Sequence, residues 1–92
     1  RTLVRGDVFR FLHSAPAQGF DFIFADPPYA LKELPEVPEL VFKRDLLRDG
    51  GIFVMEHPKT NDFSGLPYFY QHRVYGSVNF SIFIKEEEKT DA

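Results

Sequence analysis

Four consecutive residues, Asp26, Pro27, Pro28 and Tyr29, have the chemical types needed to hold an amino group on a flat aromatic base. Asp26 presents a carboxylate acceptor, and the prolines, with a fixed φ and no N–H, hold their carbonyls in a stiff geometry. Such acceptors would orient an amine whose lone pair is delocalised into a purine ring and stabilise the positive charge that develops as it reacts. Tyr29 would stack on the base. The pattern indicates chemistry on an exocyclic amine, and a base inside a helix would have to be flipped out.

The same four residues can also end a strand and begin a turn without any chemistry. They follow residues 20–25, an apolar run rich in aromatics that is typical of a strand buried on both faces of a parallel sheet. Open α/β sheets bind their ligands at the carboxyl ends of such strands. This position favours the functional interpretation over the structural one.

Helical and strand patterns alternate around this strand. Asp7 can cap a helix, and Gly50 and Gly51 are predicted to end another helix over residues 39–48. The predicted strands are a strand end at 1–5 and strands at 20–25, 51–56, 68–75 and 78–84, the last two joined by a turn at 76–77. This order predicts an α/β fold with a parallel sheet and an antiparallel hairpin at one edge.

The composition excludes several classes of protein. With 43% hydrophobic and 27% charged residues, the chain is not a disordered tail, and a net charge of −3 excludes a basic nucleic-acid grip over its whole length. It has no cysteine, and its three histidines lack ligand spacing, so we expect no metal. No membrane span or signal peptide is visible, so we expect a cytoplasmic protein. Because the sequence begins with Arg1, we expect a piece of a longer chain.

Three segments together resemble the RsmD-type 16S ribosomal RNA (guanine-N2) methyltransferases. They are residues 20–29, residues 50–57, and residues 73–76 with 80–81. The strand followed by Asp-Pro-Pro-Tyr is similar to the amino-methyltransferase motif of the S-adenosylmethionine-dependent fold. The resemblance implies that residues 1–85 are the C-terminal part of a methyltransferase domain, followed by a charged, disordered tail at 86–92. It implies half of a Rossmann-like class I methyltransferase sheet, with strands resembling 4-5-7-6, an antiparallel last strand and flanking helices.

The resemblance makes the four-residue motif the catalytic centre. Asp26 would accept a hydrogen bond from the target amino group, with the Pro27 carbonyl beside it. Pro28 completes the motif, and Tyr29 would stack on the flipped guanine. The implied reaction is methyl transfer from S-adenosylmethionine to the exocyclic N2 amino group of a guanine. The implied partner is 16S ribosomal RNA or a small ribosomal subunit assembly intermediate.

Cofactor and base contacts are implied at other positions as well. Asp7 and Val8 would bind the adenine part of S-adenosylmethionine, and Asp26 would also contribute to the cofactor site. The side chains that would line the target-base pocket are Tyr29, Glu56, His57, Tyr75 and Phe80.

Most of these residues also have a structural interpretation. Asp7 fits a helix cap, and His57 fits a satisfied histidine in a loop. Tyr75 and Phe80 fit ordinary packing within a sheet. The sequence leaves both interpretations open at each position.

The chain departs from the family pattern in its missing first half. It has no glycine-rich loop to hold the methionine part of the cofactor, and the acidic residue expected to hold the ribose is also absent. The strand at 20–25 would lack its usual neighbour, so copies could associate through the exposed strand edge. Two alternatives therefore stay open: a non-catalytic α/β fragment or subunit that needs a partner, and an adenine-N6 methyltransferase of DNA or RNA.

Overall fold

The computed structural model of the chain describes residues 7–86 and, as backbone alone, residues 2–4. One sheet contains five strands: β1 (Thr2–Val4), β2 (Phe20–Ala25), β3 (Leu47–His57), β4 (Phe69–Tyr75) and β5 (Val78–Ile84). The helices are α1 (Val8–Ser14) and α2 (Val37–Lys43), the second preceded by a 3-10 turn at Leu34–Glu36. Within these described residues no helix is long and apolar enough to cross a membrane. The expected tail lies outside the described residues except for Glu86.

The strand order is β1-β2-β3-β5-β4. Strands β1, β2 and β3 are parallel, whereas β5 is antiparallel to both of its neighbours, β3 and β4. The order β2-β3-β5-β4 reproduces the arrangement 4-5-7-6 that the resemblance implies. The predicted α/β class, half-sheet and antiparallel last strand are confirmed.

The position of β1 differs from the expectation for residues 1–5. In the family order those residues would belong to strand 3, which two other strands separate from strand 4. Here β1 pairs directly with β2, from Thr2 opposite Ile23 to Val4 opposite Ala25. A strand edge presents unpaired N–H and C=O groups, and β1 satisfies them along the carboxyl half of β2. The edge is therefore not fully bare, and association of copies through the rest of it stays a prediction.

The helix predicted over residues 39–48 is wrong at its end, since α2 stops at Lys43. Asp45 has a φ of 53°, and its N–H donates to the Phe42 carbonyl at 3.1 Å. The N–H of Leu46 donates to the Val41 carbonyl at 3.2 Å. These two bonds form a Schellman motif, in which a left-handed residue ends the helix. Asp45 therefore takes the role that the sequence assigned to a glycine pair.

The glycine pair lies inside β3, which starts four residues earlier than the predicted strand at 51–56. Gly50 has a φ of +81°, and its N–H donates to the Lys85 carbonyl at 2.6 Å. A Cβ on Gly51 would lie 2.7 Å from the Arg48 carbonyl oxygen. The two glycines therefore allow a bend and a close backbone approach within the strand, rather than the end of a helix.

Helices cover one face of the sheet and leave the other face open. Both helices pack on one side, because a single buried cluster joins their apolar residues to strand residues that alternate onto that side. This covered face consists of Ile23, Ala25, Phe53, Met55, His57, Asn79, Ser81 and Phe83. The opposite side, the open face, includes the partly buried side chains Phe22, Phe24, Ile52, Val54, Glu56, Phe80 and Ile82.

Strand β5 alternates as predicted, yet its more apolar side is the less buried one. Phe80 and Ile82 lie on the open face and are partly buried, whereas Asn79 and Ser81 on the covered face are buried. Polar side chains are tolerated there because each of them has a hydrogen-bond partner. The described helices therefore leave the apolar open face uncovered.

Candidate active site at the carboxyl ends of the parallel strands

The Asp-Pro-Pro-Tyr motif lies immediately after β2, where two prolines prevent the strand from continuing. The Pro28 carbonyl accepts the N–H of Leu31 at 3.0 Å, which closes a turn. Within the described part of the chain, the Asp26 carboxylate and the Pro27 carbonyl accept no hydrogen bond. Asp26 is partly buried and Pro27 is buried. The motif thus holds two unused acceptors on a rigid segment at the carboxyl edge of the sheet.

Tyr29 is tied to the neighbouring strand. Its hydroxyl donates to Oε2 of Glu56 at 2.7 Å, although 48% of the tyrosine is exposed. The hydrogen bond with Glu56, together with partial desolvation and the negative charges of Glu56 and Asp26, raises the pKa of Tyr29 to about 12. Tyr29 is therefore a hydrogen-bond donor throughout the physiological range. The bond restricts the position of a ring that would otherwise project freely from a turn.

A row of four side chains crosses the open face at this edge. The parallel pairing of β2 and β3 ends with Ala25 opposite Met55, and Asp26 and Glu56 are the residues that directly follow these two. The negative charges of both carboxylates act on Tyr29. Glu56 pairs with Phe80, and Phe80 pairs with Arg73. Adjacent strands lie about 4.8 Å apart, so the row places two acidic residues, a phenylalanine and an arginine at successive positions across the sheet. The members of this cross-strand row are Asp26, Glu56, Phe80 and Arg73.

Two of the aromatic residues predicted for the base pocket, Tyr75 and Phe80, lie on the neighbouring strands β4 and β5, away from Asp26. The rings of Tyr75 and Phe80 are edge-to-face at 6.0 Å, and the Phe80 ring is 6.3 Å from that of Phe24. Tyr75 is 59% exposed, and its hydroxyl accepts a hydrogen bond from the Arg73 guanidinium at 3.1 Å. Both residues therefore take part in sheet packing while presenting an aromatic surface on the open face.

His57 lies on the other side of the sheet. It is fully buried, its Nδ1 is 2.8 Å from the Pro58 carbonyl, and its Nε2 is 2.7 Å from the Ser81 hydroxyl. A carbonyl can only accept, so Nδ1 donates and, in the neutral ring, Nε2 accepts from Ser81. Burial lowers the pKa of His57, the Pro58 carbonyl raises it and nearby His72 lowers it further. With Phe63 packed edge-on at 4.9 Å, the ring offers no free surface to a base in this conformation.

The residues predicted to contact the cofactor adenine lie at the start of α1. The Asp7 carboxylate accepts the N–H of Arg10 at 2.9 Å, which is the N-cap interaction that the structural interpretation anticipates. The side chain of Val8 is 2% exposed and belongs to the core. Because β1 and β2 are parallel, Asp7 and Asp26 both follow the carboxyl ends of adjacent strands. The cap and a cofactor contact both remain compatible with this position.

Two other features lie outside this site. In the described ranges, no group of three or more His, Cys, Asp and Glu side chains is arranged to hold a metal ion. A cavity of ≈ 350 Å³ opens beside α2, between Phe42 and Tyr68. It contains none of the predicted site residues, and Phe42 packs on Phe83 of the covered face, so the cavity is on the side of the sheet away from Asp26.

The sequence predicted Glu56 as part of the target-base pocket without a specific contact, and it included Arg73 only within the segment 73–76 that resembles the family. Their alignment with Asp26 depends on strand register, which pairs residues far apart in the chain. The alternation of side chains within β3 could have indicated that Glu56 and His57 lie on opposite faces of the sheet, so that only one of them could share a face with Asp26.

Comparisons with known proteins agree with the fold. A family model described as conserved hypothetical protein 95 matches residues 1–84. An uncharacterized methylase from Rickettsia prowazekii is 43% identical over 44 residues, which are 48% of this chain and 19% of that protein. A candidate methylase from Haemophilus influenzae has a solved structure with a TM-score of 0.71 and 17% identity, over 91% of this chain and 49% of the other. A candidate methyltransferase from Escherichia coli gives 0.67 and 20%, over 92% and 48%. The chain thus spans about half of each solved structure.

Proposed function

This chain belongs to the family described as conserved hypothetical protein 95, and from that membership we propose that it is the C-terminal half of an S-adenosylmethionine-dependent methyltransferase domain. The substrate atom is the exocyclic N2 of a guanine in 16S ribosomal RNA. The proposal is carried by the Asp26 carboxylate and the Pro27 carbonyl, which accept no hydrogen bond from the described residues, beside a tyrosine that Glu56 holds in place. The names of the similar proteins, which call them methylases or methyltransferases, support the same reaction class.

In this proposal the chain supplies the side of the active site that faces the target base. Tyr29 stacks on the flipped guanine, while the Asp26 carboxylate and the Pro27 carbonyl each accept one hydrogen bond from the N2 amino group. These bonds orient the nitrogen and counter the positive charge that grows on it as it attacks. Asp26 is placed to accept the proton that the nitrogen then loses. Tyr75 and Phe80 extend the apolar surface on which the base and its neighbours rest.

The residues present fit only part of an S-adenosylmethionine site. When bound, the cofactor supplies a methyl group on a sulfonium sulfur that is open to attack by a nucleophile. Asp26 and the segment from Asp7 to Val8 follow adjacent parallel strands and suit its methyl and adenine ends. The sequence contains no glycine-rich loop for the methionine part. We therefore assign most of the cofactor contacts to the half of the domain that the similar proteins carry in addition.

The open face favours a second proposal for the chain by itself. Partly buried Phe22, Ile52 and Ile82 form an apolar surface that neither helix covers. Taken alone, the chain would then act as a non-catalytic α/β unit that requires a partner, which would cover this face. In that case the catalytic proposal applies to a parent protein, meaning a protein in which this chain is joined to the missing half.

The proposal is tested by methyl transfer from labelled S-adenosylmethionine in the parent protein. The acceptors are naked 16S ribosomal RNA, a small-subunit assembly intermediate and the mature subunit, and the modified nucleoside is identified by mass spectrometry. We expect N2-methylguanosine, and we expect Asp26→Ala to lower kcat by about 100- to 1000-fold, as when one preorganised electrostatic contact is removed.

Asp21→Asn is the matched control, because Asp21 lies on the same strand at the opposite end and is exposed to solvent in an ion pair with Arg48. It should retain full activity. A fully active Asp26→Ala protein would refute the proposal. A product methylated at adenine N6 would keep the reaction class and replace the substrate.

A further inference from the structure

We propose that Glu56 is the residue that selects guanine over adenine, by accepting a hydrogen bond from N1–H of the target base. This inference rests on the proposed function, since it names the specificity determinant of that same site. Glu56 would contact the substrate directly, next to the acceptors that hold the amino group.

The position of Glu56 supports this role. Glu56 follows Met55, whose partner Ala25 directly precedes Asp26, and both carboxylates are close enough to Tyr29 for their charges to act on it. Glu56 is partly buried, and its Oε2 is occupied by the Tyr29 hydroxyl at 2.7 Å. In the part of the chain that the structure describes, Oε1 accepts no hydrogen bond. One oxygen therefore fixes the carboxylate to the stacking residue, and the other is free for a donor on a stacked base.

The chemistry of the two purines makes this free oxygen discriminating. In guanine the N2 amino group adjoins N1–H, so both neighbouring atoms are donors. In adenine the N6 amino group adjoins an N1 that carries a lone pair. An ionised carboxylate can only accept hydrogen bonds, so it binds N1–H of guanine and repels N1 of adenine. A flipped base exposes this edge to the protein, which makes the contact available.

Tyr29 links recognition to stacking. Its hydroxyl is the donor that holds Glu56, and its ring is the proposed stacking platform, so the two contacts to one base are positioned together. The shared hydrogen bond keeps the carboxylate from rotating away when the base arrives. Arg73 and Tyr75 lie on β4, the strand beyond Phe80. The Arg73 guanidinium donates to Gln71 and Tyr75 and not to Oε1 of Glu56.

The test compares two RNA substrates in the parent protein, one with guanine and the other with 2-aminopurine at the target position. Both bases carry the 2-amino group, but N1 of 2-aminopurine is an acceptor. For the unmodified protein we expect kcat/KM for guanine to exceed that for 2-aminopurine by about 10- to 100-fold, the range that a hydrogen bond to a charged group supplies.

The variant Glu56→Gln isolates the contact. Its amide oxygen can still accept from the Tyr29 hydroxyl, which leaves the NH2 group to face the base. We expect the variant to lose the preference for guanine and to shift the ratio of the two substrates toward 2-aminopurine. Differences between the bases at other atoms, such as O6, are the same for both proteins and cancel in this comparison. Glu39→Gln, an exposed position on α2, is the matched control and should keep the original ratio.

Binding is measured in parallel, from the fluorescence of the 2-aminopurine RNA and its competition by the guanine RNA, with S-adenosylhomocysteine present. A guanine preference in binding that Glu56→Gln abolishes supports the inference even if no methyl group is transferred, in which case the proposed function alone fails. An unchanged ratio in Glu56→Gln, for transfer or for binding, overturns the inference while leaving the methyltransferase proposal intact.

Discussion

Glu56 and His57 are consecutive residues of one strand, yet they belong to two regions with opposite properties. Glu56 lies on the open face, where one carboxylate oxygen holds Tyr29 and the other has no partner among the described residues. His57 lies on the covered face, where both ring nitrogens are occupied and the side chain is fully buried. The difference shows that one strand can place a residue with both hydrogen-bonding atoms occupied next to a residue with an available acceptor, because alternate side chains point to opposite faces.

The same contrast holds across the sheet. On the covered face, Phe83 packs against Phe53 with ring centroids 5.6 Å apart, and both are fully buried. On the open face, Phe80 is partly buried, and its ring lies 6.0 Å from that of Tyr75. The covered face therefore carries the packed core, whereas the carboxyl edge of the open face leaves acceptors and aromatic surface partly exposed.

The largest expected loss of stability is tested by comparing Phe83→Ala with Phe80→Ala, two substitutions of the same kind on β5. We expect Phe83→Ala to lower the free energy of unfolding by about 3–5 kcal/mol, because it leaves a cavity in a fully packed region. Phe80→Ala should cost less than half as much, since its ring is partly exposed before the change. Denaturant unfolding monitored by circular dichroism measures both, and equal losses would contradict the division between the faces.

The buried histidine is expected to make an intermediate, pH-dependent contribution to stability. Burial lowers the pKa of His57, so the unfolded chain binds the proton more readily than the folded one. The contribution to stability is complete above the ordinary histidine pKa of about 6.5 and is lost as the pH falls through the lowered folded value.

The free energy of unfolding is measured from pH 8 down to pH 5 for the unmodified protein and for His57→Gln. We expect it to fall more steeply toward acid in the unmodified protein, so that the difference between the two proteins shrinks. The substitution should itself cost about 1–3 kcal/mol at neutral pH if Ser81 loses its partner. An identical pH dependence in both proteins would show that His57 is not held neutral by burial.

The smallest expected changes in stability are found by comparing substitutions of two acidic residues at the same edge of the sheet. Asp7 already accepts the Arg10 N–H, so Asp7→Ala should lower the free energy of unfolding by about 0.5–2 kcal/mol, and Asp7→Asn should restore most of it. Among residues 7–86, none donates a hydrogen bond to the Asp26 carboxylate, so Asp26→Ala should change the free energy of unfolding by no more than about 0.5 kcal/mol. A large loss of stability in Asp26→Ala would mean that Asp26 supports the fold rather than a ligand.

Local pattern was sufficient for several parts of the fold. The apolar run ending at two prolines located β2 at its observed bounds, and period-two alternation located β5 at its bounds as well. Both signals arise from residues that are close in sequence, which is why they could be read without a structure. The Asp-Pro-Pro-Tyr motif was placed at a strand end for the same reason.

The end of α2 shows why other parts could not be read in this way. Asp45 ends the helix in a left-handed conformation, and its carboxylate binds Lys85 as well as Gln18 at 2.8 Å. Both partners lie far from Asp45 in sequence, and the bond from Lys85 is the main cause that lowers the pKa of Asp45. Two adjacent glycines gave a stronger local signal for a helix end, but tertiary contacts made the aspartate the actual one.

The sequence by itself determined the chemical types at the candidate site: a carboxylate, a proline carbonyl and a tyrosine at the carboxyl end of a buried strand. Only the tertiary structure decided which neighbours join them. Strand register aligns Glu56 with Asp26 and turns His57 to the opposite side, and the helices cover one face and leave the other open. The physical reason is that residue type is a local property, whereas register and burial depend on contacts between segments that the chain brings together only when it folds.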